Sequence, residues 1–195
     1  MNLRLILFSF LLVISFHQAF PQRHIKGQLA LTPYVGIVDK FPAKPHNGDG
    51  QGYAGGIDLV RYTKTETYWK VAYQYDRKFY QFFDDRLMTE RHLLSFDWAP
   101  ITFHDLRRNY YIMPLIGANV GVEMVNRNNL ELAQGTILNR STGTMGLQTG
   151  LEGELYFLER TALFLAVSER WLPYSEVGSF RTYGTIGVRF SFFKH

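Results

Sequence analysis

A serine, a histidine and a carboxylate meeting at one strand end would make a hydrolase, so these residue types come first. His92 and Ser95 stand three apart, which in a strand puts them on opposite faces. Ser168 and Glu169 are neighbours and diverge for the same reason, and His104 falls in a separate link. The spacing assembles no nucleophile, so a lipid-modifying barrel enzyme that depends on a serine such as Ser168 is the weakest reading. His24, His46, His92, His104 and His195 lack metal-ligand spacing, and no glycine-rich loop follows a strand and opens a helix. Neither metal nor cofactor is expected, and the chain is read as a non-enzyme.

What remains is charge set against apolar alternation. Asp58, Lys70, Asp97, Glu123, Glu152, Glu154, Arg170 and Arg189 lie in segments that alternate polar with apolar residues. If those segments close into a narrow cylinder, these acids and bases are enclosed and must pair. The expected result is a polar plug, because side chains fill so small a barrel, and no small-molecule substrate is expected.

The elements that would position these charges follow from period two. At the C-terminus Ile186, Val188, Phe190 and Phe192 occupy one side of a strand, with Thr185, Gly187, Arg189 and Ser191 on the other. This is the pattern of a barrel's closing strand. Trp69, Val71, Tyr73 and Tyr75 likewise alternate with Lys70, Ala72, Gln74 and Asp76, and Leu94, Phe96 and Trp98 oppose Ser95 and Asp97. Eight such segments are predicted: Gly27 to Val38, Tyr53 to Tyr62, Thr67 to Arg77, Met88 to Trp98, Tyr110 to Val125, Thr142 to Phe157, Thr161 to Trp171 and Thr182 to Phe193. Most run to roughly ten residues, enough for a tilted crossing of the hydrocarbon layer. The predicted fold is all-β, an eight-stranded antiparallel up-and-down transmembrane β-barrel.

Within that frame Pro114, which has no N–H for a ladder, predicts a bulge or break. Thr63 to Glu66 and Leu158 to Arg160 read as short periplasmic turns, and the longer links as external loops. Ala99 to Asn109 is too long for an inner turn and predicts a small helical turn. Tyr53, Trp69, Tyr75, Trp98, Tyr110, Tyr111, Trp171 and Tyr183 read as interfacial girdle rings. Phe79, Tyr80, Phe82 and Phe83 form an aromatic tip that either contacts a partner or extends the third strand into the outer leaflet.

Compartment follows from the first residues. Arg4 precedes an apolar run from Leu5 to Phe16, which is too short for a membrane helix and reads as an export signal over 1–22, with 23–195 as one barrel domain. Cleavage is expected between His17 and Gln22. The absence of cysteine excludes a lipoprotein anchor and a disulfide framework. A formal charge of +4 is spread singly along the chain rather than gathered in a stripe, so nucleic acid is not an expected partner. Outer-membrane lipid is, and the expected location is the outer membrane of a Gram-negative bacterium.

Three segments carry a family resemblance. Tyr110 to Asn126 with Leu138-Asn139-Arg140-Ser141, then Gly150 to Arg160 containing the acidic pair Glu152 and Glu154, then Leu163 to Trp171 and the terminal Gly187-Val188-Arg189-Phe190, resemble the conjugative-transposon protein TraO family of Bacteroidota. The resemblance implies an exported component of a DNA-transfer apparatus that docks other conjugative transfer proteins, and it brings no catalytic residues. The alternative is a generic small barrel of the OmpA or OmpW kind with a structural or small-solute role.

Overall fold

The computed structural model describes residues 23–39, 49–64, 66–82, 85–127, 131–132, 135–136, 140–175 and 177–192. The expected export signal, Phe83, and the side chain of Phe82 lie outside the described residues. Eleven strands run in chain order: β1 (Leu29–Val38), β2 (Asp49–Lys64), β3 (Thr67–Phe82), β4 (Asp85–Ala99), β5 (Phe103–His104), β6 (Tyr110–Val125), β7 (Glu131–Leu132), β8 (Gly135–Thr136), β9 (Arg140–Tyr156), β10 (Thr161–Trp171) and β11 (Phe180–Phe192). The two-residue strands β5, β7 and β8 are accessories. The other eight correspond to the eight predicted segments, with β2, β3, β4, β9 and β11 reaching further at one or both ends.

Each long strand pairs antiparallel with its neighbours in sequence, and β1 pairs with β11 to close the circle. Closure leaves none of the eight long strands as an edge strand, which the backbone requires where no water reaches it. The register then fixes two rows. Leu59, Val71, Leu94, Phe96, Val120, Leu151, Leu165 and Ile186 face outward and are about half exposed, while the residues beside them turn in. The closing-strand residues Ile186, Val188, Phe190 and Phe192 all occupy the outward row. Inside, Ala30, Val60, Tyr62, Tyr68, Tyr111, Met113 and Ala162 form a buried cluster in the half of the lumen nearest the start of β1 and the end of β11, here the proximal half.

Two sequence expectations are corrected, and a third, at Pro114, is met as a break without a bulge. No register shift accompanies Pro114: it pairs with Leu151 on one side, and on the other the β4 ladder stops at Trp98 and Ile116 before β5 takes over at Phe103 and Ile112. The proline falls in that gap between ladders, which is the local break its missing N–H predicts. The 99–109 link contains no helical turn. It folds back as β5, and its tip is held by the Asp105 carboxylate, which accepts backbone N–H groups of Asn109 at 2.6 Å, Tyr110 at 3.1 Å and Arg107 at 3.2 Å. Desolvation pushes the Asp105 carboxyl upward, but the backbone donors of Tyr110, Asn109 and Arg107 outweigh it and hold the group below the usual carboxylate range. Finally, Tyr111 and Tyr183 are not girdle rings. Each is 1% exposed and points into the lumen, whereas Tyr53, Trp69, Trp98, Tyr110 and Trp171 stay outward.

Purified in detergent, the chain is expected to migrate faster unheated than boiled in a denaturing gel, with an all-strand circular dichroism spectrum. A Cβ on Gly146 would stand 2.0 Å from the Trp171 carbonyl oxygen of the adjacent strand. Gly146→Val should therefore lose the fast-migrating form; retention of that form would contradict this close approach of β9 and β10.

Candidate functional site

The lumen is where sequence analysis placed the chemistry, and all eight charges named there lie on the inward row, none more than 7% exposed. They do not form one group. In the proximal half, Glu152 and Glu154 are two apart on β9 and so point the same way. The Arg189 guanidinium of β11 spans them, donating to Glu154 and reaching Glu152 at 3.3 Å, while its Nε donates to Thr32 at 2.8 Å. Lys70 from β3 donates to Glu152, and its ammonium also lies 3.3 Å from Asp97 and 3.9 Å from Asp58. Tyr68 donates to Glu152, Tyr62 to Glu154 at 3.4 Å, and Gln148 to Asp97. Six of the eight residues are thus joined in one layer drawn from β2, β3, β4, β9 and β11.

Glu123 and Arg170 lie elsewhere, in a second layer toward the distal end. Here Arg91 donates to Asp76 at 3.1 Å and approaches Glu123 at 3.8 Å, and Tyr183 donates to Asp76 at 2.8 Å. Ser175 donates to Glu123 at 2.8 Å. Arg170 lies over the Tyr183 ring at 4.4 Å and donates to Gln74 at 2.9 Å. At the distal mouth Asp39 accepts from Lys78 at 2.8 Å, from Arg181 at 3.1 Å and from the Thr182 backbone at 2.8 Å.

Asp76 and Arg91 are the important residues that the sequence list lacked, and simple parity would have supplied both. Asp76 continues the row of Lys70 and Gln74, and Arg91 the row of Ser95 and Asp97. The aromatic tip divides by the same rule. Phe79 stays on the outward row, whereas Tyr80 turns toward the mouth, donates to the Val177 carbonyl at 3.1 Å and sits beside Lys78 and Arg181.

The proximal end is stopped by residues no periodicity announces. His24 is 1% exposed, stacks on Tyr111 with centroids 3.9 Å apart, and meets Glu154 at 3.0 Å. Arg23 donates to the Arg108 carbonyl at 2.6 Å and to Asn109 at 3.1 Å, and covers the Tyr156 ring at 4.4 Å. The N-terminal segment is pinned by hydrogen bonds from Gly27 to the Tyr62 carbonyl at 2.7 Å and from Tyr62 to the Gln28 carbonyl at 3.0 Å. A space between the layers, beside Asp58, Gln74, Gln148 and Arg170, amounts to about 30 Å³, room for a water or two. Of the would-be catalytic residues, His92 is outward with Tyr73 at 2.7 Å, Glu169 is outward with Thr182 at 2.5 Å, and Ser168 is inward. They do not converge. Among the described residues no cluster of histidines and acids has the makings of a metal site.

A barrel sealed by ionic layers and an N-terminal stopper can next be set beside known proteins. The family described as Conjugative transposon protein TraO matches residues 26–192, nearly the whole barrel. The chain belongs to the TraO family. No curated protein matches it. Among solved structures, this TraO-family chain is similar to the N-terminal β-barrel domain of Pseudomonas aeruginosa OprF, at 12% identity over 86% of this chain and 98% of that one with a TM-score of 0.53. Neisserial surface protein A is similar at 13% identity over 86% and 98% with a TM-score of 0.53, and P. aeruginosa OprG at 12% over 88% and 98% with the same score. At such identity the likeness establishes the fold alone: an eight-stranded barrel of the outer-membrane type.

Arg189 answers two buried carboxylates at once, so removing it strands both. Arg189→Leu is expected to lower stability by roughly 3–5 kcal/mol, the range for an orphaned buried charge. The check is urea unfolding in detergent followed by tryptophan fluorescence. Arg189→Lys should recover little, since a single ammonium cannot bridge both acids.

Proposed function

We propose that this TraO-family barrel is a non-enzymatic component of a conjugative DNA-transfer apparatus, seated in the outer membrane of a Gram-negative bacterium and acting as a structural or docking element. The observation that carries the reading is the family match across the barrel, taken together with a lumen occupied by paired charges. With the interior filled, the working surfaces are the two ends. Export through the N-terminal signal would leave both chain ends on the periplasmic side, so the proximal end faces the periplasm.

That end offers a surface suited to a partner. Ile101, Phe103 and Leu106 on the β5 turn are exposed by 54%, 61% and 103%, and Leu106 at the very tip touches nothing that shields it. Asp105 precedes it, and Arg107 and Arg108 follow it. An apolar protrusion rimmed by charge suits another protein of the transfer machinery better than lipid.

Deleting the gene in a donor is expected to reduce mating frequency sharply, with restoration by the intact gene. Leu106→Asp combined with Phe103→Ser should reproduce much of the loss while the barrel keeps its heat-modifiable migration. Unchanged transfer in the deletion strain would favour a generic structural barrel, and unchanged transfer in the double variant alone would move the docking surface elsewhere.

A further inference from the structure

On the outer wall near the proximal end lies a groove of about 800 Å³, set between the N-terminal segment and an aromatic ridge. Trp69 forms that ridge with Phe96 and Trp98, stacked at 4.9 Å and 5.5 Å, each with an interplanar angle of 19°. Leu59 and Val71 continue the apolar wall toward the barrel's middle. Two cations, Lys26 and Arg61, also line the groove. Arg61 is the register partner of Leu29 on one side and Trp69 on the other, so it lies on the outward row at the level of the tryptophans. Gly27, with φ of 84°, lets the chain swing from the buried His24 to β1, which brings Lys26 out over the lip.

Among the described residues no acid lines this groove and neither cation forms an ion pair. Glu66, on the neighbouring turn, is engaged by His104 at 2.8 Å and Arg108 at 3.5 Å. An outward arginine is costly in hydrocarbon, but tryptophans mark the headgroup level, where a phosphate can answer it. The guanidinium fork fits phosphate oxygens in two-pronged fashion and the lysine supplies a second charge.

We propose that this groove binds one anionic glycerophospholipid of the periplasmic leaflet, its phosphate held by Arg61 and Lys26 and an acyl chain lying along Leu59, Val71, Trp69 and Phe96. Net negative charge is selected because a zwitterionic headgroup brings its own ammonium beside two existing cations. The proposal rests on the barrel crossing a bilayer and is independent of any role in DNA transfer.

Native mass spectrometry of the full barrel released from detergent tests it, with phosphatidylglycerol and phosphatidylethanolamine added in equal amounts. The wild type is expected to carry a single phosphatidylglycerol in preference to phosphatidylethanolamine. Lys26→Gln and Arg61→Gln should each weaken that preference roughly fivefold, and the double variant should abolish it while keeping heat-modifiable migration. Leu59→Trp, which narrows the groove with both cations in place, should weaken the same adduct. Equal binding of the two lipids by the wild type, or a preference that survives in the double variant or in Leu59→Trp, would overturn the proposal.

Discussion

Pairing of β1 with β11 is the constraint from which the other features descend. In hydrocarbon a strand edge cannot be left unpaired, so eight ladders must meet end to end, and once they do the inward row has nowhere else to go. The seam itself is imperfect. Its register runs from Leu31 opposite Phe190 to Tyr34 opposite Gly187, with Thr32 and Pro33 unpaired between them on that side. A side-chain bond from Arg189 to Thr32 crosses at this very place, so the lumen layer also ties the two closing strands together where the ladder lapses.

The two ionic layers show why so many charges are tolerable inside. Lys70 and Arg91 are each shared among carboxylates from different strands, Arg189 bridges the two acids of β9, and tyrosine hydroxyls occupy remaining acceptor sites. Desolvation alone would make any of these groups expensive, and hydrogen bonding from several sides offsets the expense. Inward glycines are part of the same arrangement. Gly117 leaves room that the Asp97 carboxylate occupies, since a Cβ there would collide with it.

Most of the barrel was legible because period two is a strong code when strands are long. Strand number, order and the facing of Lys70, Asp97, Glu152 and Arg189 all follow from alternation. The misreadings have one source, which is that alternation says nothing about what happens where it stops. Tyr110 and Tyr111 are adjacent and both aromatic, so composition placed both in the girdle, whereas parity sends the second into the lumen. Pro114 is the exception, since its missing N–H does mark where the alternation loses its β4 partner and β5 takes over. His24 lies outside any strand, and its burial depends on three tyrosines from β2, β6 and β9 that only the closed circle brings together.

That dependence imposes an order on assembly. The pocket that receives His24 does not exist until the cylinder is complete, because Tyr62, Tyr111 and Tyr156 are strangers along the chain. The residues synthesised ahead of all eight strands are therefore the last to be seated, and a molecule caught before that moment would differ from the finished one by an uncorked mouth.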